Sequence, residues 1–253
     1  MSRTALITGA AGGIGRAVAA RFVADGHRVV GVDLTDPELP GATYCRADVT
    51  DGAEVAAAVR AAVAEGSVDV LVTCAGVTDG KPLHRTTTEE WEAVLRANLG
   101  SVYLCVREVL PGMIAVGSGT VVTVGSVLHR TAAPGLPAYA AAKGAIAALT
   151  RQLAVDYGQY GISFVTVSPG WVRTPATESR LDGAEDLERL RHSNPLRVLG
   201  GPEQIADAVA YAAGPGAALL TGSELVLDAG ASVVSPASLL RDAHRRRMGL
   251  PPL

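Results

Sequence analysis

The chain has 253 residues, of which 48% are apolar and 19% are charged, so it can bury a large core and is not intrinsically disordered. Its formal charge of −3 argues against a nucleic-acid-binding protein, and no continuous apolar stretch reaches the ~20 residues that span a bilayer. The N-terminus lacks the pattern of a secretory signal, and the three cysteines, Cys45, Cys74 and Cys105, have no metal-binding spacing. We therefore expect a cytoplasmic protein with buried thiols and no metal.

Short β-branched runs alternate with longer alanine-rich segments along the chain. The runs are almost continuously apolar, which is typical of parallel strands covered on both faces. The predicted strands span 4–8, 28–33, 68–73, 119–124, 162–167 and 223–228, with a weaker one at 42–46. The predicted helices span 14–25, 51–65, 88–97, 101–116, 138–158 and 202–213. This order predicts an α/β fold with an open parallel sheet, right-handed crossovers and helices on both faces.

Two segments differ from the rest, but neither marks a domain boundary. Residues 173–201 are charged and rich in helix breakers, although they lie between two core elements. Residues 241–253 form a basic tail that ends in prolines, which predicts either a frayed, solvated terminus or a segment that docks on a neighbouring subunit. We therefore predict a single domain over 1–240, followed by this tail.

A glycine-rich turn, Thr8 to Gly15, follows the first predicted strand and precedes an amphipathic helix. The N–H groups at the start of that helix can bind a pyrophosphate, which glycines allow to approach closely. A merely flexible turn is the alternative interpretation. Asp33 ends the second strand, 18 residues after Gly15, where a carboxylate can bind the ribose hydroxyls and repel a 2′-phosphate. Since neither Leu34 nor Thr35 is basic, NAD is favoured over NADP, unless Asp33 only starts a turn.

A second cluster of candidate residues could carry acid–base chemistry. Tyr139 and Lys143 have i, i+4 spacing on a predicted helix and so share one side of it. An ammonium near the phenol favours the phenolate, which could take a proton from an alcohol while a hydride leaves its carbon. Ser126 ends a buried strand and could bind the same oxygen. A core tyrosine, a lysine that extends to solvent and a turn serine are the alternative interpretations.

Together these motifs resemble those of the single-domain short-chain dehydrogenase/reductase family over about residues 3–230. The motifs occur in one order: the glycine-rich turn, Asp48-Val49, Ala75-Gly76, Asn98, Ser126, Tyr139-x-x-x-Lys143, Pro169-Gly170 and Thr221-Gly222. The resemblance implies a Rossmann-type, doubly wound fold, a dinucleotide cofactor and a homotetramer. It also implies a catalytic tetrad of Asn98, Ser126, Tyr139 and Lys143, in which Asn98 holds a water that relays protons to Lys143.

The resemblance further implies a set of cofactor contacts, to which Tyr139 and Lys143 also belong. The other members are Gly9, Gly13, Ile14, Gly15, Asp33, Leu34, Asp48, Val49, Cys74, Ala75, Gly76, Gly170, Val172 and Thr174. One position departs from the family pattern, because Cys74 stands where an asparagine usually braces the sheet. We expect the backbone contacts of the Ala75-Gly76 turn to survive this change, and a reactive thiol is the less favoured interpretation of Cys74.

Residues 173–201 match the family's variable substrate lid. The predicted substrate contacts are Ser126, Leu128, His129, Leu136, Tyr139 and Trp171. His129 or Arg130 could bind a carboxylate or a polar substituent of the substrate, unless both face solvent.

Three functions are compatible with the sequence. The first is an NAD-dependent dehydrogenase that acts on a small secondary or cyclic alcohol. The second is an NADPH-dependent carbonyl reductase, such as a 3-oxoacyl-carrier-protein reductase, against which Asp33 counts. The third is a non-catalytic dinucleotide-binding sensor, against which the presence of both Tyr139 and Lys143 counts.

Overall fold

The computed structural model describes residues 2–36, 38–63, 67–235 and 241–250. Seven parallel strands form one sheet in the order β3-β2-β1-β4-β5-β6-β7. The strands are β1 (Thr4–Thr8), β2 (Arg28–Asp33), β3 (Ala42–Arg46), β4 (Val70–Thr73), β5 (Gly119–Val124), β6 (Ile162–Pro169) and β7 (Glu224–Leu227). All seven strands were predicted, including the weak one at 42–46, and only their ends differ by up to two residues.

Nine helices accompany the sheet in the described part of the chain. They are α1 (Gly13–Ala24), α2 (Gly52–Ala62), α3 (Thr88–Leu95), α4 (Ser101–Val116), α5 (Pro137–Tyr157), α6 (Pro175–Glu178), α7 (Ala184–His192), α8 (Pro202–Ala213) and α9 (Arg241–Arg247). Local capping explains several boundaries: the side chain of Asp51 accepts hydrogen bonds from the first turn of α2, and Gly26, with φ +80°, follows the end of α1. The last two residues of the helix predicted at 51–65 lie outside the described residues.

Helices were not predicted in two charged segments. In the lid, Thr174 forms a capping box ahead of α6, while α7 has acidic residues in its first turn and basic residues in its last. The tail contains α9, where the sequence favoured a frayed end, and Asp242 and the arginines of its last turn complement the helix dipole in the same way. These helices have only 4, 9 and 7 residues, so the sequence offers too few positions for apolar periodicity to identify them.

Two hydrophobic cores cover the two faces of the sheet. Successive strand residues enter opposite cores: Leu6 packs with α2, α4 and α5, whereas Ala5 and Ile7 pack with α1 and α8. This alternation confirms the predicted doubly wound, single-domain architecture.

A continuous helical run from Thr88 to Val116 bears on the expectation that no apolar stretch is long enough to span a bilayer. By length and composition this run could cross a bilayer, with a mean hydropathy of 1.5 in its most apolar window. However, Val102, Val106, Val109 and Met113 of α4 all pack in the sheet core. One face of α4 is therefore part of the core of the fold, while 39% of the apolar window is buried in total.

Candidate active site

The glycine-rich turn lies at the carboxyl end of β1, where the strand order changes direction between β1 and β4. Gly9 has φ +67°, and a β-carbon there would lie 2.7 Å from the backbone nitrogen of Ala75. A β-carbon on Gly15 would lie 2.0 Å from the carbonyl oxygen of Gly9. No side chain forms a capping hydrogen bond at Gly12, the residue before α1. The N–H groups in the first turn of α1 are therefore available to a ligand at the positive end of the helix. This backbone cradle fits a pyrophosphate.

Asp33 reaches back from the end of β2 to this turn. Its Oδ2 accepts a hydrogen bond from the Ala11 nitrogen at 2.9 Å, and its Oδ1 accepts one from the Leu34 nitrogen at 2.7 Å. Leu34 itself is exposed, and Ile14 packs against the core beneath the turn. The structure therefore places a carboxylate beside the glycine turn, at the position predicted for ribose recognition.

The other predicted adenosine contacts follow β3 and β4. Asp48 accepts hydrogen bonds from the backbone and hydroxyl of Thr50, which closes the loop before α2, and Val49 packs against the core. The Ala75 nitrogen donates to the Thr8 hydroxyl at 3.3 Å, so the turns after β1 and β4 are joined.

Cys74 occupies the position at which the family usually has asparagine. Its backbone nitrogen donates to the Thr8 carbonyl at 3.2 Å, so the main-chain bracing survives the substitution. Burial raises the pKa of the Cys74 thiol to about 12, although the nearby Lys143 acts in the opposite direction. A group with this pKa is a thiol rather than a nucleophilic thiolate at neutral pH.

Asn98 lies in a π-helical turn, Arg96–Gly100, that joins α3 to α4 without a break. The sequence predicted two separate helices here, and π-turns of this kind are common at functional sites. The Asn98 side chain is fully buried, and its Nδ2 donates to the carbonyls of Val77 and Val94 at 3.0 and 2.9 Å. Its Oδ1 has no hydrogen-bond partner in the described part of the chain, which leaves one acceptor directed at the site.

Lys143 is the most deeply buried cation of the site, with 6% of its surface exposed. Its ammonium donates to the Val124 carbonyl at 2.8 Å and lies 5.5 Å from the centre of the Tyr139 ring. Burial lowers the pKa of Lys143 to about 8, against the opposing influence of Cys74. A β-carbon on Gly76 would lie 2.5 Å from Asn98 Oδ1 and 3.9 Å from Lys143 Nζ, so both groups face one small space beside Gly76.

Ser126 follows the end of β5, close to Lys143. Its hydroxyl accepts a hydrogen bond from the Leu128 nitrogen at 3.2 Å, which leaves the hydroxyl proton free to be donated. Tyr139, in the first turn of α5, is half-buried rather than packed inside the core. The structure thus brings the four residues of the predicted tetrad to one end of the sheet.

The lid begins and ends at one place, because Val172 pairs with Gly200 as an isolated parallel bridge. Gly170 lies against Asp228, and its nitrogen donates to the Leu227 carbonyl at 2.9 Å. Thr174 lies over the glycine turn, since a β-carbon on Gly13 would be 2.6 Å from its methyl group. The base of the lid therefore covers the pyrophosphate cradle.

Leu128 and Leu136 line a cavity of about 290 Å³ with Pro82, Leu83 and Ala140. Trp171 is half-buried, and its indole N–H has no hydrogen-bond partner among the residues described. His129 and Arg130 both lie beside Glu224 of β7, and the Arg130 guanidinium forms an ion pair with that carboxylate. A contact of either residue with an acidic substrate group stays a prediction.

Comparison with known proteins agrees with this geometry. A family profile described as enoyl-(acyl carrier protein) reductase matches residues 9–232. The chain belongs to the short-chain dehydrogenase/reductase family. It is 38% identical to 2-(R)-hydroxypropyl-CoM dehydrogenase of Xanthobacter autotrophicus, over 90% of this chain and 98% of that protein.

Two further relatives of this dehydrogenase/reductase match over similar lengths. It is 37% identical to cis-4-hydroxycyclohexanecarboxylate dehydrogenase of Sinomonas cyclohexanicum, over 92% of this chain and 97% of that protein. The solved aldohexose dehydrogenase of Thermoplasma acidophilum has a TM-score of 0.88 and 29% identity, over 93% of this chain and 96% of that one. The chain is therefore an enzyme that acts on CH–OH groups.

Two polar residues of this dehydrogenase/reductase were not found from the sequence. Glu224 forms an ion pair with Arg130 and lies 3.4 Å from His129 Nε2, within the strand predicted at 223–228. Arg180 is an exposed lid residue whose guanidinium donates to the Thr78 carbonyl across the cleft. Neither residue has a local pattern that marks it, since its partner is more than 90 positions away.

Proposed function

We propose that this enzyme is an NAD-dependent dehydrogenase that interconverts a small secondary alcohol and its ketone. The observation that carries the proposal is the buried ammonium of Lys143, 5.5 Å from the Tyr139 ring and beside the segment that carries Ser126. This buried ammonium has no carboxylate partner among the described residues, and the phenol beside it is half-buried at the start of α5. That arrangement suits a tyrosine that exchanges protons with a substrate oxygen.

Each residue of the site has a separate role in the reaction. When bound, the nicotinamide of NAD supplies the acceptor for the hydride. Tyr139 accepts the proton of the alcohol at its phenolic oxygen and returns it to the carbonyl oxygen in the reverse direction. Ser126 donates a hydrogen bond from its hydroxyl to the same oxygen and so stabilises the negative charge that develops there. Asn98 Oδ1 and Lys143 Nζ face the space beside Gly76, where a water between them would pass protons towards Lys143.

The glycine cradle supports a dinucleotide, and Asp33 supports NAD over NADP. The Asp33 carboxylate lies at the glycine turn and would meet a 2′-phosphate with like charge. Titration of the protein with NAD and NADP, followed by tryptophan fluorescence, should give the lower Kd for NAD. The Asp33→Asn variant should have Kd values for NAD and NADP that lie closer together. Tighter binding of NADP to the unaltered enzyme would favour the carbonyl reductase instead.

A lid arginine favours substrates that carry an acidic group. Arg180 donates to a backbone carbonyl and has no carboxylate partner among the described residues, unlike Arg173 and Arg189 of the same lid. One relative is named for a cyclic alcohol with a carboxylate. We expect Arg180→Ala to lower kcat/KM for hydroxy acids by about tenfold and to leave neutral alcohols nearly unchanged. Equal losses for both classes would contradict this role.

The decisive experiment for the function is Tyr139→Phe. We expect this variant to bind NAD with the Kd of the unaltered enzyme and to lose turnover by a factor of about 10² to 10⁴. Activity is measured with a panel of secondary alcohols and ketones by the absorbance of NADH. Undiminished turnover would refute the role of Tyr139. Tight NAD binding without turnover on any substrate by the unaltered enzyme would favour the sensor.

Two finer expectations complete the proposal. A homotetramer is supported by large apolar side chains that this chain leaves exposed, among them Val155, Leu219 and Val233. A cytoplasmic location is supported by the three free cysteines. Light scattering of the purified protein measures the oligomeric state directly, and a monomer at micromolar concentration would contradict the homotetramer.

A further inference from the structure

A buried carboxylate lies behind the segment that carries Ser126. Glu224 opens β7, and its side chain is only 7% exposed. Arg130 donates to Glu224 Oε2 through Nε at 3.1 Å and through Nη2, while Glu224 Oε1 lies 3.4 Å from His129 Nε2. Burial raises the pKa of Glu224, but the Ser168 hydroxyl and the Arg130 guanidinium outweigh it and hold that pKa below its usual value. The group is therefore a carboxylate at neutral pH.

His129 connects this carboxylate to the backbone of Ser126. Its Nδ1 lies 2.6 Å from the Ser126 carbonyl oxygen, which also accepts the His129 backbone N–H at 3.4 Å. The same short 3₁₀ turn, Val127–His129, supplies the Leu128 nitrogen that binds the Ser126 hydroxyl. Because a carbonyl oxygen only accepts hydrogen bonds, Nδ1 is the donor to Ser126, and His129 Nε2 can donate to Glu224 when the imidazole is protonated. The ring therefore lies between β7 and the turn that orients the Ser126 hydroxyl.

Ser168 of β6 packs against the same segment from the other side. A β-carbon on Gly125 would lie 2.4 Å from the Ser168 hydroxyl oxygen, which has no hydrogen-bond partner among the described residues. Gly125 directly precedes Ser126, so its backbone rests against the Ser168 side chain. The Ser126 peptide therefore lies between Ser168 before it and His129 after it.

We propose that Glu224 is a positioning residue that acts through His129 to hold the Ser126 hydroxyl in its reactive place. The proposal rests on the proposed function, because it needs Ser126 to bind the substrate oxygen. Loss of the charge weakens the hold of Glu224 on Arg130 and removes the carboxylate beside His129, and the turn that carries the Leu128 nitrogen is then free to shift. A misplacement of about 1 Å at a reacting group can lower a rate by about 100-fold.

The test uses the full-length enzyme and the variants Glu224→Gln and His129→Leu. Glu224→Gln removes the negative charge at nearly constant size. His129→Leu removes the imidazole between Glu224 and Ser126 but keeps the ion pair between Arg130 and Glu224. We expect kcat to fall by about 10- to 100-fold in both variants, with Kd for NAD and Tm close to those of the unaltered enzyme. Glu108→Gln, at an ion pair with Arg107 on α4, is the matched control and should keep full kcat.

Combination with Ser126→Ala separates positioning from general loss of structure. If Glu224 acts through Ser126, then Glu224→Gln should cost little further kcat in a Ser126→Ala background. Losses that multiply in the double variant, or unchanged kcat in a folded Glu224→Gln and His129→Leu, would overturn the proposal. A fully active Ser126→Ala would instead overturn the role of Ser126 in the proposed function, which distinguishes the two failures.

Discussion

The burial of Lys143 predicts that the stability of the enzyme rises with pH in a window set by this one side chain. Its pKa is about 8 in the folded chain, against an ordinary value of 10.5. Between these two values the unfolded chain binds more protons than the folded one, so the free energy of unfolding increases with pH. Below pH 8 the buried ammonium destabilises the fold by its full amount, and above about pH 10.5 this penalty is gone.

The size of the effect follows from the pKa difference. Each pKa unit corresponds to about 1.4 kcal/mol, so the whole shift is worth about 3 kcal/mol. Of this, about 2 kcal/mol should be regained between pH 7 and pH 9.5. Lys143→Met keeps the apolar stem and removes the charge, so its free energy of unfolding should lack this rise. At pH 7 we therefore expect the inactive methionine variant to be no less stable than the unaltered enzyme.

Two measurements test this prediction. Urea unfolding at a series of pH values gives the difference in free energy between the enzyme and Lys143→Met, with Lys81→Met as the control at an exposed lysine. Because Lys81 and Lys143 are the only lysines, ¹³C-lysine labelling gives two Cε resonances that can be titrated separately. A Lys143 resonance that titrates near pH 10.5, or a free-energy difference that does not vary with pH, would refute the reasoning.

Two other predictions test the turn and the thiol. Gly15→Ala should lower the free energy of unfolding by about 2–3 kcal/mol or more and weaken NAD binding, because its β-carbon would overlap the Gly9 carbonyl. Gly112→Ala, in an open position on α4, should instead stabilise the fold by about 0.5–1 kcal/mol, and denaturant melts with NAD titration compare the two. Because its pKa is about 12, Cys74 should react with iodoacetamide at pH 8 about a thousandfold more slowly in the native enzyme than in urea. Mass spectrometry locates the label, and fast native labelling at Cys74 would show that the thiol is not enclosed.

Much of the site could be read from local spacing. The glycine turn after β1, the acidic residue at the end of β2 and the pair Tyr139 and Lys143 are separated by fixed numbers of residues within or between neighbouring elements. Such spacing translates directly into positions at one end of a parallel sheet. The helices of the lid escaped prediction because α6 and α7 have only 4 and 9 residues, too few for apolar periodicity to mark them.

Local patterns were enough to predict the order of strands and helices, the glycine turn and the pair Tyr139 and Lys143, because each depends on neighbours within a turn or on a strand end. The tetrad as a set, with Asn98, came from the family resemblance and stays a prediction. The surroundings of these groups depend on the packing of distant elements. The tertiary structure buries Lys143 beside Cys74, places Asn98 in a π-turn with an Oδ1 that has no partner among the described residues, and brings His129 and Arg130 to Glu224. These contacts join residues tens of positions apart, and only the lateral order and register of the strands bring them within a few ångströms of each other.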